Sequence, residues 1–401
     1  MARKEPLTIL CLASYEKGFD FIRECKERGC RVLLLTLESL KDKPWPRDCI
    51  DEVFLMPTFQ EIDWIVNTVS YYARRFPIDR IVPMDDYDVD RAAALREHLR
   101  CPGMGESRAR FYRDKLAMRV QAQDNGVPVP DFVHVLNYDR IKEYMARVPP
   151  PWMLKPRLEA AARGIQKIHH ADELWPKLDE LGDRQSYFLL ERFIKGQVYH
   201  VDSLTHFGQN VMVEPHRYTT PPFEVAHGGG VFSSRTIEHG SKEEKTLKDV
   251  HSQVLKALQC QTGVSHSEFI RSDEDGKVYF LETSARVAGA FLANMIEAST
   301  GINLWREWAK MVIDGDNRTY KVPERRHDYG GLVITLSKQQ CPDTSGYVDP
   351  EIAFRVKLDH HAGLVLRSPD LKRVDQLISE YIGRFKKDFL ATMPGDNTME
   401  G

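Results

Sequence analysis

Two apolar runs near the N-terminus constrain this chain more than any other feature. Residues 7–12 and 32–35 are apolar at nearly every position. A strand that is hydrophobic on both faces has to be covered on both faces. The residues between them, 19–28, read as a short helix that Gly29 ends. Short strands follow at 53–56 and 81–84, with a helix at about 60–76 between them. This alternation predicts a parallel sheet with helices on both faces. The turn at 13–18 lacks the glycine fingerprint G-x-G-x-x-G. A dinucleotide site there, and with it a dehydrogenase, is not supported.

Beyond residue 100 the pattern changes. Residues 105–125 read as one helix ending at Gly126, and Val127 to Pro130 as a rigid connector. Residues 131–190 read as a small α/β unit. From 187 to 282 the strands look antiparallel, at 187–190, 199–204 and 210–214, the last two joined through His206, Phe207 and Gly208. Leu247, Val250, Val254, Leu255 and Leu258 share a helical face. Strands at 263–271 and 277–282 are joined by Asp273, Glu274, Asp275 and Gly276, a strong turn signal. A last region from about 320 has strands at 331–336 and 363–366. A closing helix follows, with Ser368 expected as its cap and Pro369 in its first turn. The tail after about Met393 reads as disordered.

The chain has 401 residues, enough for two or three domains. Lysine plus arginine number 56 and aspartate plus glutamate 59, a net charge of −3. That balance argues against a general nucleic-acid binder or a protein held to a membrane by charge. No stretch approaches the roughly 18 apolar residues of a membrane helix, and the N-terminus runs into a strand without a signal peptide. Seven cysteines with no C-x-x-C pair suit reduced thiols and a cytoplasmic location.

The most informative segment is 263–289. Glu268 and Glu282 lie on two strands joined by a tight turn, so both carboxylates can point to one side. Two close carboxylates repel unless a hard cation such as Mg²⁺ bridges them. Arg286 follows, and a fixed guanidinium there suits an anionic group that gains charge during reaction. The alternative is an exposed hairpin with scattered charges; apolar Phe269, Ile270, Phe280 and Leu281 weigh against it. Lys155 ends a buried-looking strand before a small-residue turn at 158–164. It reads as a phosphate holder or as a surface lysine before a loop. Residues 189–196 read as a strand crossing between two lobes, or as an ordinary strand end. As a crossing strand, its backbone would meet a purine edge and Phe193 and Ile194 would pack on the ring.

Taken together, in this order and spacing, these segments resemble the ATP-grasp superfamily. The specific part is Glu268, then Phe280, Leu281 and Glu282, then Arg286; Asp114, Lys115 and Met118 ahead of Gly126 to Pro130 add to it. The resemblance runs to about residue 315. It implies a parallel α/β domain at 1–110, a small ATP-grasp lobe at 111–190, a large lobe with a metal site at 191–315, and a C-terminal α+β region at 316–401. It also implies ATP and Mg²⁺ as cofactors, with Mn²⁺ as an alternative ion. Lys115 and Lys155 would contact the phosphates. Glu191, Phe193 and Ile194 would form the adenine hinge, and residues 158–164 the phosphate lid. Glu268, Glu282 and Ser284 would bind the metal, and Arg286 and Lys155 would act in catalysis. The partners implied are a small carboxylate and an amine, with a homodimer as one assembly. Three positions depart from the pattern. Val198 stands where many members carry a ribose-binding acid, which leaves Tyr199, His200 or Asp202 as substitutes, with Asp202 preferred. Ser284 stands where many have a metal-binding asparagine, and alanines replace lid glycines.

The activity so implied is an ATP-dependent ligase that activates a carboxylate as an acyl phosphate and joins it to an amine. A bicarbonate-using carboxylase with the same nucleotide site is the second reading, and a nucleotide-binding module without catalysis the third. A P-loop kinase is not supported, because no G-x-x-x-x-G-K-[ST] occurs. His216, Arg217 and the stretch from His227 to Gly230 read as a loop or an anion contact. Arg235 reads as a phosphate or solvent arginine, and His266 as a partner of Glu268 or a packing residue. Asp85 and Asp86 end a strand where parallel sheets place ligands. Trp305 and Trp308 read as core, and His360 and His361 as structural.

Overall fold

The structure is a computed structural model that describes residues 5–160 and 162–391. The tail after Met393 lies outside the described residues. Four parallel strands, β1 (Thr8–Ala13), β2 (Arg31–Leu37), β3 (Glu52–Met56) and β4 (Arg80–Pro83), form the first sheet in the order β3-β2-β1-β4. Every position of β1 is buried. Alternate residues go to opposite cores. Ile9 and Cys11 meet α1 (Phe19–Glu27), whereas Leu10 and Leu12 meet α2 (Ile62–Ala73) and α3 (Val89–Leu99). Gly29, at φ 76°, turns the chain from α1 into β2. All seven cysteines are free thiols.

Residues 105–125 form two helices, α4 (Glu106–Arg113) and α5 (Lys115–Asp124), rather than one. The break is Asp114. It leaves helical geometry and accepts hydrogen bonds from the Leu116 and Ala117 amides at 3.0 and 3.4 Å, the work of an N-cap. Arg157 pairs with the same carboxylate, which ties the start of α5 to the end of the next sheet's central strand.

That second sheet is antiparallel, in the order β5-β8-β6-β7, from β5 (Phe132–His134), β6 (Trp152–Pro156), β7 (Gln166–Ile168) and β8 (Phe188–Arg192). Helices α6 (Tyr138–Arg147) and α7 (Ala171–Leu181) cover one face. Met153 and Lys155 of β6 line a cleft on the other.

The third sheet has eight strands, all antiparallel, in the order β13-β12-β9-β10-β11-β14-β16-β15. They are β9 (Gly196–His206), β10 (Gln209–Tyr218), β11 (Phe232–Thr236), β12 (Gly263–Ser272), β13 (Val278–Ser284), β14 (Tyr329–Leu336), β15 (Ile352–Arg355) and β16 (His361–Ser368). The C-terminal strands β14 to β16 therefore continue this sheet instead of building one of their own. Helix α8 (Pro222–Gly228) takes in the first half of the stretch from His227 to Gly230 that reads as a loop, and Gly229 caps it. Tyr199 and Val201 of β9 pack under α4, α5 and α9 (Lys242–Ala257). On the opposite face lie α10 (Leu292–Thr300) and α11 (Leu304–Asp314). Trp308 of α11 is core, while Trp305 is half-buried and lines a cavity. The final helix, α12 (Leu371–Asp388), is capped by Asp370, not by Ser368. Ser368 accepts one turn earlier, from the Asp370 amide at 3.1 Å. No helix among the described residues is long and apolar enough to cross a membrane.

Candidate active site

Between the face of β6 and the face of β12 and β13 lies a cleft of about 550 Å³, a size suited to a nucleotide or other small ligand. Its basic side chains come from separate elements. Lys115 opens α5 and reaches the Glu159 carbonyl at 2.6 Å and Glu282 Oε2 at 2.7 Å. Lys155 of β6 pairs with Glu191 of β8, and Arg119 of α5 holds the other oxygen of Glu191 at 2.8 Å. Burial alone would raise the Glu191 carboxyl; Arg119 and Lys155 override it and keep it below its ordinary value. Arg119 is fully buried and, among the described residues, both of its terminal nitrogens lack a hydrogen-bond partner and Glu191 is the carboxylate it pairs with directly.

The acidic wall is built by one hairpin. Gly276, at φ 68°, closes the turn between β12 and β13, and Glu268 pairs directly with Glu282 across the ladder. Directly opposed residues share a face, so both carboxylates look into the cleft. Tyr218 Oη donates to Glu268 Oε1 at 2.9 Å. Burial would raise the Glu282 carboxyl, but Lys115, Lys155 and Arg119 hold it well below the usual range. An all-oxygen pair of this kind fits Mg²⁺ or Mn²⁺, and Lys115 already supplies positive charge at one of its oxygens. Ser284 donates to Asp86, whose other oxygen pairs with Arg113. Arg286 also lines the cleft, beside Asp85, and Lys17 pairs with Asp85.

The cleft thus brings together Lys115, Lys155, Glu268, Glu282, Ser284 and Arg286. Glu191, Phe193, Ile194 and Asp202 are not among the residues lining it. Glu191, expected at the adenine hinge, is instead the buried counter-ion beneath Lys155. The Phe193 amide is spent on the Pro151 carbonyl at 3.1 Å, and the Lys167 ammonium sits 3.8 Å from the centre of its ring. Ile194 is buried with Val198 and Ile270. Asp202, expected at the ribose, lies under the wall with both oxygens taken by His200 and His266. Arg235 is likewise occupied, by Asp375 of α12. In the lid segment, Ala161 lies outside the described residues. Glu159 accepts from Tyr87 Oη at 2.9 Å, and His227 Nε2 stands 3.1 Å from the Ile165 carbonyl.

A second cavity of about 1880 Å³ adjoins the cleft and shares Lys17, Arg163, Phe232 and Gly289 with it. Ala290 and Phe291, at the junction, both have positive φ, 50° and 62°. Non-glycine residues in that region carry strain that a packed surrounding must hold.

The family model for the ATP-grasp domain matches residues 148–294. The chain carries an ATP-grasp domain. The match takes in β6, β7 and β8 of the small sheet, Lys155 and the paired glutamates, while Lys115 and Asp86 of the cleft precede it. Relatives of the chain include an L-arginine-specific L-amino acid ligase of Bacillus subtilis, 24% identical over 71% of this chain and 70% of that protein. Among solved structures, an L-amino acid ligase from Bacillus licheniformis superposes with a TM-score of 0.76 at 16% identity, over 98% of this chain and 100% of that one. The biotin carboxylase domain of Hydrogenobacter thermophilus 2-oxoglutarate carboxylase, in complex with MgADP and bicarbonate, gives a TM-score of 0.69 at 15% identity. That likeness covers 97% of this chain and 91% of the other. At these identities the structural likenesses establish the ATP-grasp fold.

Three contacts around the cleft escaped the sequence: Arg119 under Glu191, Asp86 on Ser284, and the chain from His200 through Asp202 to His266. The last had a signal in the period-two polar residues of β9 and β12.

Proposed function

We propose that this chain is an ATP-dependent carboxylate–amine ligase, acting through an acyl phosphate. The observation that carries the reading is the convergence of Lys115, Lys155, Arg286 and the paired Glu268 and Glu282 on one cleft, with a larger cavity opening from it. The kinship with L-amino acid ligases supports an amino acid as one substrate.

In this reading ATP lies in the cleft with its phosphates between Lys155 and Lys115. Glu268 and Glu282 would hold Mg²⁺ or Mn²⁺, which when bound neutralises charge on the phosphates. The carboxylate substrate enters from the larger cavity. One of its oxygens attacks the γ-phosphorus; the β–γ bridging bond breaks, ADP leaves, and an acyl phosphate remains. The amine then attacks the acyl carbon, the tetrahedral oxyanion faces Arg286, and phosphate departs as the amide nitrogen loses its proton. Residues 159, 160 and 162–165 and helix α8, joined through His227 and Ile165, stand where they would keep water from the acyl phosphate.

The test is product analysis with Mg·ATP and a panel of acids and amino acids. ADP and phosphate that depend on one acid–amine pair support the ligase reading. AMP and pyrophosphate would mean adenylation and overturn the acyl phosphate. ATP turnover that depends on bicarbonate alone would favour the carboxylase reading. Lys155→Ala should weaken ADP binding by about tenfold, the worth of one charge-assisted contact, read by calorimetry; unchanged affinity would remove Lys155 from the phosphates.

A further inference from the structure

Ser284, expected among the metal ligands, is drawn aside to Asp86. The residue directly across the ladder from it is His266. His266 lines the same cleft, two residues before Glu268 and on the same face of β12. Its orientation is fixed from behind. Nδ1 stands 3.0 Å from Asp202 Oδ1, and the other oxygen of Asp202 is 2.7 Å from His200 Nδ1. An ionised carboxylate only accepts, so His266 carries a proton on Nδ1 and turns Nε2 toward the cleft.

Nε2 lies 3.8 Å from Glu268 Oε1. That is too long for a hydrogen bond. It does fit two ligands of one divalent ion, each about 2.1 Å from it and so at most about 4.2 Å apart. Glu268 is oriented in turn by Tyr218 Oη. An imidazole whose far nitrogen is held by a carboxylate is the arrangement that metal-bound histidines adopt. Among the described residues, His200, Asp202 and His266 offer ligand atoms that all lie within 4.8 Å of one another. His200 is fully buried, with its nitrogens on Asp202 and Ser234, so His266 is the member that reaches the cleft.

We propose that His266 Nε2 is a third protein ligand, with Glu268 and Glu282, to the divalent cation of the nucleotide cleft, and that Asp202 is the positioning residue that aims it. This rests on the nucleotide reading above. Ligation uses the Nε2 lone pair, so any proton there passes to solvent as the ion binds. A nitrogen donor shifts preference from Mg²⁺ toward Mn²⁺.

The test uses the full chain, labelled with ¹⁵N-histidine, with Mn²⁺ and ADP. Pulsed electron paramagnetic resonance should detect a ¹⁵N coupling to the bound Mn²⁺. In His266→Gln the ¹⁵N coupling should vanish while Mn·ADP still binds, with Mn²⁺ affinity lowered about tenfold and the Mn²⁺-over-Mg²⁺ preference narrowed. Asp202→Asn should weaken Mn²⁺ binding by roughly 10- to 100-fold, as loss of an orienting partner does; unchanged affinity would remove Asp202 from the role. Mn·ADP bound without ¹⁵N coupling, or a coupling that persists in His266→Gln, would overturn the ligand assignment and leave the nucleotide reading standing. No nucleotide-dependent Mn²⁺ binding at all would overturn both.

Discussion

Strands β1 and β9 are equally hidden and differently made. All of β1 is buried, and so are residues 198–206 of β9. In β1 the buried side chains are apolar except for Thr8, and both faces meet helices through apolar contacts. In β9 the face toward α9 carries Tyr199 and Val201, while the other carries His200 and Asp202. Burying charge costs free energy unless partners are supplied. The first sheet avoids that cost. The large sheet accepts it and answers each group: Asp202 with two histidines, Glu268 with Tyr218. The difference teaches that depth of burial does not separate a structural sheet from a working one. What separates them is whether polar groups recur at every second position on an inner face.

Breaking each region should therefore give different signatures. The largest effect expected is from Glu282→Ala. If Glu282 holds the metal as proposed, its loss removes several kcal/mol of charge stabilisation, roughly a thousandfold in turnover. The melting temperature should stay close to that of the parent. Activity within tenfold of the parent would detach Glu282 from the reaction.

Glu191→Ala should act on stability as well as on the site. It strands Arg119, which is fully buried, and costs about 3–5 kcal/mol. Denaturant unfolding reads this; a loss below 1 kcal/mol would mean that Arg119 finds water or another partner.

Leu34→Ala, in the apolar sheet, should cost about 2–5 kcal/mol by leaving a cavity. It should leave ADP affinity at 25 °C unchanged, and an equal loss of affinity would erase the contrast between the two sheets.

The smallest effect is a pH slope. His251, buried on α9 beside Ser203, is pushed down to about 3 by burial. The folded chain keeps it neutral, whereas the unfolded chain protonates it below about 6.5. Its share of stability is therefore present above pH 6.5 and lost as pH falls toward 3. His251→Gln should lose about 2 kcal/mol less than the parent between pH 6.5 and pH 5. Parallel profiles would show that His251 does not titrate in that window.

Much of the site could be read where partners are close in sequence. The turn from Asp273 to Gly276 sets the hairpin pairs from Arg271 opposite Val278 to Phe269 opposite Phe280, and a bulge between Glu268 and Phe269 then shifts the ladder by one residue and puts Glu268 opposite Glu282. The first βαβ unit is read from apolar runs and Gly29 for the same reason. Asp114 was visible as a residue, but not as a break. Whether an aspartate caps a helix or rides on its surface depends on what meets it, here Arg157. The fate of Glu191 was hidden likewise: a carboxylate on a crossing strand becomes a buried counter-ion only because α5 carries Arg119 beneath it.

The sequence by itself determined the parallel N-terminal sheet, the antiparallel hairpin with its two carboxylates, and the basic residue at the end of β6. Each depends on side-chain period or on a turn a few residues long, and short loops leave few alternative pairings. The tertiary structure alone decided that Ser284 turns to Asp86, 198 residues away, and that His266 meets Asp202 across 64. It also decided that β14 to β16 extend the large sheet. Such contacts are chosen by which faces pack together, and no local preference in the chain encodes that choice.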